Sequence, residues 1–161
     1  MREIKFRAKD YTGEWRYGCL LERKYFDFKH GKDASMYYIS SIEPDWTTSN
    51  IYTNKEYLVI FNTIGQYTGL KDKNNKEIYE GDIVNAHYFF ENHDPINLGA
   101  FEDESEITGK IVFDLDGFRV IDKDDEEREL PLSMIQEPVE ELEVLGNIYD
   151  NPELLEASNE D

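Results

Sequence analysis

The sequence predicts a mainly β protein, α+β at most. Aromatic residues make up 14% of the 161 residues, with 11 Tyr and 9 Phe, and such residues favour strands and bury large areas. Short β-prone runs separated by turn residues recur along the chain. The clearest helix start is Asn151-Pro152-Glu153, near the C-terminus. The length suffices for one sizeable core or two small ones.

The first part of the chain, residues 1–63, is predicted to form an N-terminal β-hairpin region. Its opening hairpin has a turn at Asp10–Gly13, and its second strand continues to Phe28. Residues 45–54 are polar around Trp46, which leaves loop and helical turn both open. The strand predictions here are Ile4–Ala8, Trp15–Leu21, Ser35–Ile42 and Glu56–Phe61.

The central block, Ile64–Val84, reads IGQYTGLKDKNNKEIYEGDIV. Asp72–Lys76 is predicted to be a hairpin loop, because Asp and Asn bond their own backbone and tolerate positive φ. Gly81 is predicted to bend the chain from one short strand into the next.

The second part, residues 64–155, is predicted to form a small SH3-like β-barrel with a short C-terminal helix, followed by a flexible tail at 156–161. Glu91–Ile107 is expected to be a long mobile surface loop, and Asp114–Gly117 a hairpin turn. The barrel prediction rests on the count and spacing of five short strands: Asp82–Phe90, Lys110–Phe113, Gly117–Ile121, Leu130–Leu132 and Leu142–Ile148.

Three segments together resemble the YopX family, whose members are typically encoded in phages and prophages of bacteria. They are the central block, GNIYDNPELL at Gly146–Leu155, and the opening hairpin with Trp15–Gly18. The family's position matching Asn75 is frequently glycine, and Asn is the next residue able to adopt a left-handed conformation. The resemblance implies one YopX-like domain over 1–161 and a phage or prophage accessory protein. The family names no reaction.

Charge is unevenly distributed along the chain. The formal net charge is −19, and residues 100–161 alone carry 4 Lys/Arg against 21 Asp/Glu. This part would repel a phosphate backbone, so direct binding to nucleic acid is not expected. The acids are either a solvated surface or a surface that imitates nucleic acid or docks on a basic host protein.

The cysteine content and the hydropathy of the chain indicate the cellular compartment in which it is expected. Cys19 is the one cysteine, which excludes an intrachain disulfide and a thiolate zinc cluster. It lies in an apolar run and is expected in the core. There is no signal-peptide pattern and no apolar run long enough to span a bilayer. We expect a cytoplasmic location in the bacterial host and no membrane partner.

Two residue groups could support chemistry. Glu80 and Asp82 flank Gly81 and could do acid–base work, but no partner base or nucleophile is evident; the alternative is that they fix the bend. His87 and His93 could bind a metal with Asp94, but their spacing matches no ligand motif. We therefore expect no catalytic residue, no metal and no cofactor.

Gln66, Tyr67 and Thr68 are predicted to be binding residues, together with Glu80 and Asp82. The alternative is that Tyr67 packs while Gln66 and Thr68 satisfy backbone groups. The predicted function is a non-enzymatic protein-interaction module that binds itself, as a homo-oligomer, or a host or phage protein. One alternative is an acidic nucleic-acid mimic or inhibitor of a host DNA-acting enzyme. A third is an enzyme of unknown reaction.

Overall fold

The computed structural model describes residues 4–44, 52–93, 100–114, 117–135 and 142–156. They are mainly β, as predicted. Helical structure in these residues is limited to short 3₁₀ helices at Phe61–Thr63, Leu132–Met134 and Pro152–Leu155. The strands are β1 (Phe6–Lys9), β2 (Trp15–Asp27), β3 (Lys32–Pro44), β4 (Tyr52–Leu58), β5 (Gly65–Lys71), β6 (Glu77–Tyr79), β7 (Asp82–His93), β8 (Ala100–Asp114), β9 (Gly117–Asp122), β10 (Glu129–Pro131) and β11 (Leu142–Asn147).

The chain forms two compact units, Met1–Tyr67 and Thr68–Asp161. The predicted division was at 63/64, and the observed one lies within β5. The units differ strongly in charge. The first carries 10 Lys/Arg against 9 Asp/Glu, whereas the second carries 7 against 27. The acidity of the chain therefore belongs almost entirely to the second unit.

The first unit is an antiparallel sheet in which β4, β3, β2 and β1 follow one another and the start of β5 pairs with β1. The predicted opening hairpin is present, with β1 paired to the beginning of β2. β2 and β3 then pair from Cys19–Ser40 to Asp27–Lys32. Ala8, Ile39 and Val59 are the buried centre of a small core. Partly buried apolar residues around them are Phe6, Leu20, Tyr37, Tyr57 and Ile64.

The second unit contains a five-stranded antiparallel sheet in the order β10-β9-β8-β7-β11. These are the five strands that the sequence predicted. β10 and β11 are the two outermost strands in this order. Closure into an SH3-like barrel is not confirmed. The Asp72–Lys76 hairpin loop is present between β5 and β6, and Asn75 has the predicted left-handed backbone, with φ 63°. The predicted C-terminal helix is the 3₁₀ turn Pro152–Leu155.

The prediction of a loop over Glu91–Ile107 was wrong. β7 continues to His93 and β8 begins at Ala100, and the two strands pair from Ile83–Lys110 to His93–Ala100. Residues 94–99 lie outside the described part of the chain. The acidic side chains misled the prediction because backbone pairing in a hairpin satisfies N–H and C=O groups whatever the side chains are. The last five residues of the predicted tail, 157–161, also lie outside it.

Candidate functional site

Two of the predicted binding residues hold one buried peptide group in the second unit. The Thr68 hydroxyl donates to the carbonyl oxygen of Ile78 at 2.9 Å. The Asp82 carboxylate accepts from the N–H of Tyr79 at 2.7 Å. Both bonds end on the same peptide link, between Ile78 and Tyr79. Because both side chains are buried, this clamp gives them a structural role at the bend before β7.

Removing the Thr68 hydroxyl tests this clamp. Thr68→Val leaves the Ile78 carbonyl and the Leu70 N–H, which donates to the hydroxyl at 3.1 Å, without that partner. We expect a loss of about 1–3 kcal/mol in the free energy of unfolding, measured by urea denaturation. Thr68→Ser is the control, since it keeps the hydroxyl and should lose about 0.8 kcal/mol for one methyl group. Equal midpoints for Val and the parent would show that the clamp is not stabilising.

The other predicted binding residues lie in different settings. Gln66 is half-buried and pairs with Phe6 of β1. Tyr67 is buried, and its N–H donates to the carbonyl oxygen of Lys5 at 2.8 Å. Glu80 is half-buried beside Gly81. The structure thus brings Thr68 and Asp82 together on one peptide group, with Glu80 adjacent in sequence, and a binding role for the five residues stays a prediction.

The structure also shows where His87, one of the candidate metal ligands, and Cys19 lie. The imidazole of His87 lies 3.3 Å from the carboxylate of Glu104. The side chains of His93 and Asp94 are outside the described set. Among the described residues, no group of three His, Cys, Asp or Glu side chains is arranged to hold a metal ion. Cys19 is exposed, contrary to the prediction of a core position.

Two aspartates that could suggest acid–base chemistry are turn-forming residues. Asp10 accepts from the hydroxyl and N–H of Thr12, and Arg16 donates to its second oxygen at 2.7 Å. The Thr12 hydroxyl and these other donors hold the pKa of Asp10 well below its ordinary value. Burial raises the pKa of Asp72, but backbone N–H groups, first that of Val144, bring it below the ordinary value. Both carboxylates stay ionised and engaged by the turns that they stabilise.

Glu43 provides a pH test in the first unit. The Tyr57 hydroxyl donates to Glu43 at 2.7 Å and Lys55 lies 3.0 Å away; these partners lower the Glu43 pKa from 4.5 to about 2. A depressed folded-state pKa contributes stability above the ordinary value, which is lost as the pH falls towards the folded-state value. We expect the urea midpoint of the parent to fall more steeply between about pH 4.5 and 2 than that of Glu43→Gln. Glu126→Gln, at an exposed acid, is the control and should follow the parent; identical slopes for Glu43→Gln and parent would contradict the prediction.

The strands of the first unit have an inner and an outer face. Successive side chains of a strand point to opposite faces. Ile39 and its cross-strand partners Leu20 and Tyr57 lie on the inner face, in the core. We call the opposite side the outer face. Its residues are Cys19, Leu21, Arg23, Tyr25, Asp27, Lys32, Ala34, Met36, Tyr38, Ser40, Ile42, Tyr52, Asn54, Glu56 and Leu58.

The outer face is apolar and exposed. Its apolar side chains remain open to solvent to a large extent: Tyr25 by 42%, Met36 by 36%, Ile42 by 76%, Tyr52 by 64% and Leu58 by 37%. A sheet covered on one side only normally alternates apolar and polar residues, whereas these strands carry apolar residues on both sides. Large apolar side chains exposed together on one face of a sheet are typical of interaction sites in soluble proteins.

A hollow of about 570 Å³ opens at the edge of the same sheet. The chain that follows β4 turns away from β3 after Val59, whose N–H donates to the carbonyl oxygen of Tyr37. The N–H of Ile60 then donates to the carbonyl oxygen of Lys9. The rings of Tyr37 and Phe61 lie in contact there, with centroids 4.8 Å apart. The residues lining the hollow are Tyr11, Tyr25, Ser35, Met36, Tyr37, Leu58, Val59 and Phe61.

Sequence reasoning missed the outer face. The signal was present in SMYYISSI, Ser35–Ile42, where apolar residues occupy both odd and even positions. The run was interpreted only as β-prone, because the sequence does not say whether a second layer covers the other side. Cys19 was misplaced for the same reason: its neighbours Leu20 and Leu21 lie on opposite faces.

The described fold and surface define a mainly β protein that presents an apolar sheet face to solvent. The chain belongs to the YopX protein family, whose model matches residues 5–156. Protein EF1440 from Enterococcus faecalis is similar in structure, with 25% identity and a TM-score of 0.46 over 97% of this chain and 100% of that chain. None of the curated proteins matches the chain. Among the described residues, no helix has the length and apolar character needed to cross a bilayer.

Proposed function

We propose that this chain is a non-enzymatic protein-interaction module, an accessory protein of a phage or prophage acting in the cytoplasm of the bacterial host. The observation that carries the proposal is the exposed apolar outer face of the first unit. Burying apolar surface stabilises a complex by about 25 cal/mol per Å². Covering the exposed apolar side chains of this face with a second protein is therefore favourable.

The outer face also has the composition of an interface centre. Tyr and Arg are the residue types that most often dominate binding energy at protein interfaces. Here Arg23 stacks on Tyr38, with its guanidinium carbon 4.7 Å from the ring centroid, and pairs with Glu56. These contacts hold a polar group in place among the apolar side chains of the face.

The β2–β3 hairpin extends beyond its neighbours in the sheet. β1 pairs with β2 only as far as Gly18, and β4 pairs with β3 only from Tyr38. In the described residues, the distal hairpin between Leu21 and Met36 is therefore two strands wide. A ribbon that projects in this way makes its faces and edges accessible to a second protein.

The second candidate function is an acidic nucleic-acid mimic or inhibitor of a host DNA-acting enzyme. The observation in its favour is the charge of the second unit, 7 Lys/Arg against 27 Asp/Glu. A mimic would compete with duplex DNA for a basic host protein, and that competition would weaken steeply with added salt. An enzyme of unknown reaction is a third possibility that no observation in the described residues favours.

Affinity capture with matched variants tests the proposed function. The tagged chain is incubated with an extract of bacterial host cells that also make an untagged copy. Ile42→Glu/Tyr52→Glu places two acids on the outer face. Ile4→Glu/Met134→Glu also replaces two apolar residues with acids at comparably exposed positions, 69% and 65%, that are not part of that face. We expect a protein retained by the parent and the control and lost with the outer-face variant. Equal retention by all three, or no retained protein, would contradict the proposal.

A further inference from the structure

We infer that the occupant of the outer face is a second copy of this chain, which packs its own outer face against the first as a two-fold dimer. The inference rests on the proposed function and names the partner for the same surface. Three observations carry it: the charge of the face, its dimensions, and the distribution of apolar side chains along it.

Charge permits contact between copies through the outer face. Each copy has a net charge of −19, so most approaches of two copies are repelled. The outer face is nearly neutral, because its charged side chains are two cations, Arg23 and Lys32, and two acids, Glu56 and Asp27. Arg23 is paired with Glu56, and Asp27 bonds the imidazole of His30 at 2.6 Å. Two copies can therefore meet on this face without bringing unpaired like charges together.

The dimensions of the face suit a weak but specific dimer. β2 and β3 are each 13 residues long. At about 3.3 Å per residue and about 4.8 Å between strands, the face is roughly 40 Å long and roughly 10–15 Å wide. Two such footprints total roughly 800–1,200 Å², at the lower end of specific interfaces. Buried area alone does not set affinity; for a weak dimer we expect a dissociation constant on the order of 1–100 μM.

The apolar side chains are distributed in a self-complementary way. Tyr25 and Met36 lie towards one end of the face, and Ile42 and Tyr52 towards the other. Each end thus presents one aromatic and one flexible or branched aliphatic side chain. A two-fold axis in the interface plane and across the strands sets each end against the opposite end of the partner. The product is a two-layered sheet sandwich, in which apolar residues on both sides of β3 become buried.

Sedimentation equilibrium of the purified chain over about 5 to 500 μM tests the inference. We expect the weight-average mass to rise with concentration from 19.0 kDa towards twice that value. Ile42→Glu/Tyr52→Glu should remain a monomer across the range, because each copy would set two acids against the apolar Tyr25 and Met36 end of its partner. Ile4→Glu/Met134→Glu should dimerise like the parent. Circular dichroism and urea midpoints establish that all three chains are folded.

The salt dependence of dimerisation is a second test, because the inference predicts the direction of the change. Raising NaCl from about 50 to about 500 mM screens the repulsion between acidic copies, so the dimer should become tighter. An association held by ion pairs would instead weaken.

A parent that stays monomeric at every concentration would overturn the inference. So would a dimer that survives in the outer-face variant, a dimer lost in the control, or a mass that grows beyond two copies. In the first case the proposed function would still stand if the capture experiment retained a different protein through the outer face. The two proposals therefore fail on separate results.

Discussion

Gly109→Ala is expected to cause one of the two largest losses of stability in this chain. Gly109 lies in β8, the middle strand of the second unit's sheet, and pairs with Val84 of β7 and Asp122 of β9. A Cβ atom there would lie 1.8 Å from the carbonyl oxygen of Ile121 and 2.6 Å from its carbonyl carbon. Both are backbone atoms, so two strands must separate and lose ladder hydrogen bonds. We expect a loss of about 3–5 kcal/mol, out of a typical 5–15 kcal/mol.

Urea denaturation at neutral pH measures this loss. With an m-value of about 1–3 kcal/mol per M, the midpoint should fall by about 1 M or more. Gly13→Ala is the matched control, because Gly13 has φ +89° and no atom within 4 Å of an added Cβ. That variant carries the cost of the backbone conformation without a close contact. If Gly109→Ala were no less stable than Gly13→Ala, the close approach of β8 and β9 would be disproved.

Gly81→Val is expected to cause the other large loss. Gly81 has φ +83°, a left-handed conformation that a β-branched residue adopts only at a cost. An added Cβ would also lie 3.3 Å from the ring of Tyr149. The backbone cannot simply relax, because the Gly81 N–H donates to Ile111 and its carbonyl accepts from Ile148, both at 2.9 Å. We expect a loss of about 2–4 kcal/mol from strain and crowding together.

The control for this prediction is Gly13→Val. It places the same residue at nearly the same φ, in a turn where nothing lies close to the new side chain. The difference between the two urea midpoints then isolates the packing around Gly81. A Gly81→Val midpoint equal to that of the parent would mean that the bend before β7 is not constrained.

Much of the fold follows from local signals. Asp72–Lys76 has a loop composition that is recognised without tertiary context, and Asn75 has the positive φ that its position requires. The five strands of the second unit are bounded by Gly, Pro and acidic turns, which made their number predictable. The bend at Gly81 was also predictable, because a glycine between two β-prone runs indicates an unusual backbone conformation.

The rest depends on tertiary pairing. The extension of β7 and β8 through Phe90 and Glu102 comes from one strand satisfying the other's backbone, and acidic side chains hide that in the sequence. The clamp on the Ile78–Tyr79 peptide depends on tertiary structure, since Thr68 is ten residues from its acceptor. The outer face required the register of three strands, because periodicity gives the side of a strand on which a residue lies and not what covers that side.

The reactivity of Cys19 is the most direct test of the central claim, that the outer face is a docking surface. Cys19 is exposed on that face. The immobilised chain is reacted briefly with a maleimide reagent, alone and with its captured protein bound, and modified Cys19 is counted by mass spectrometry. Cys19→Ser/Lys24→Cys is the control, because position 24 is exposed on the opposite side of the same strand. The account predicts labelling of Cys19 several-fold slower in the complex and unchanged labelling at position 24. Equal rates at Cys19 with and without bound protein would contradict it.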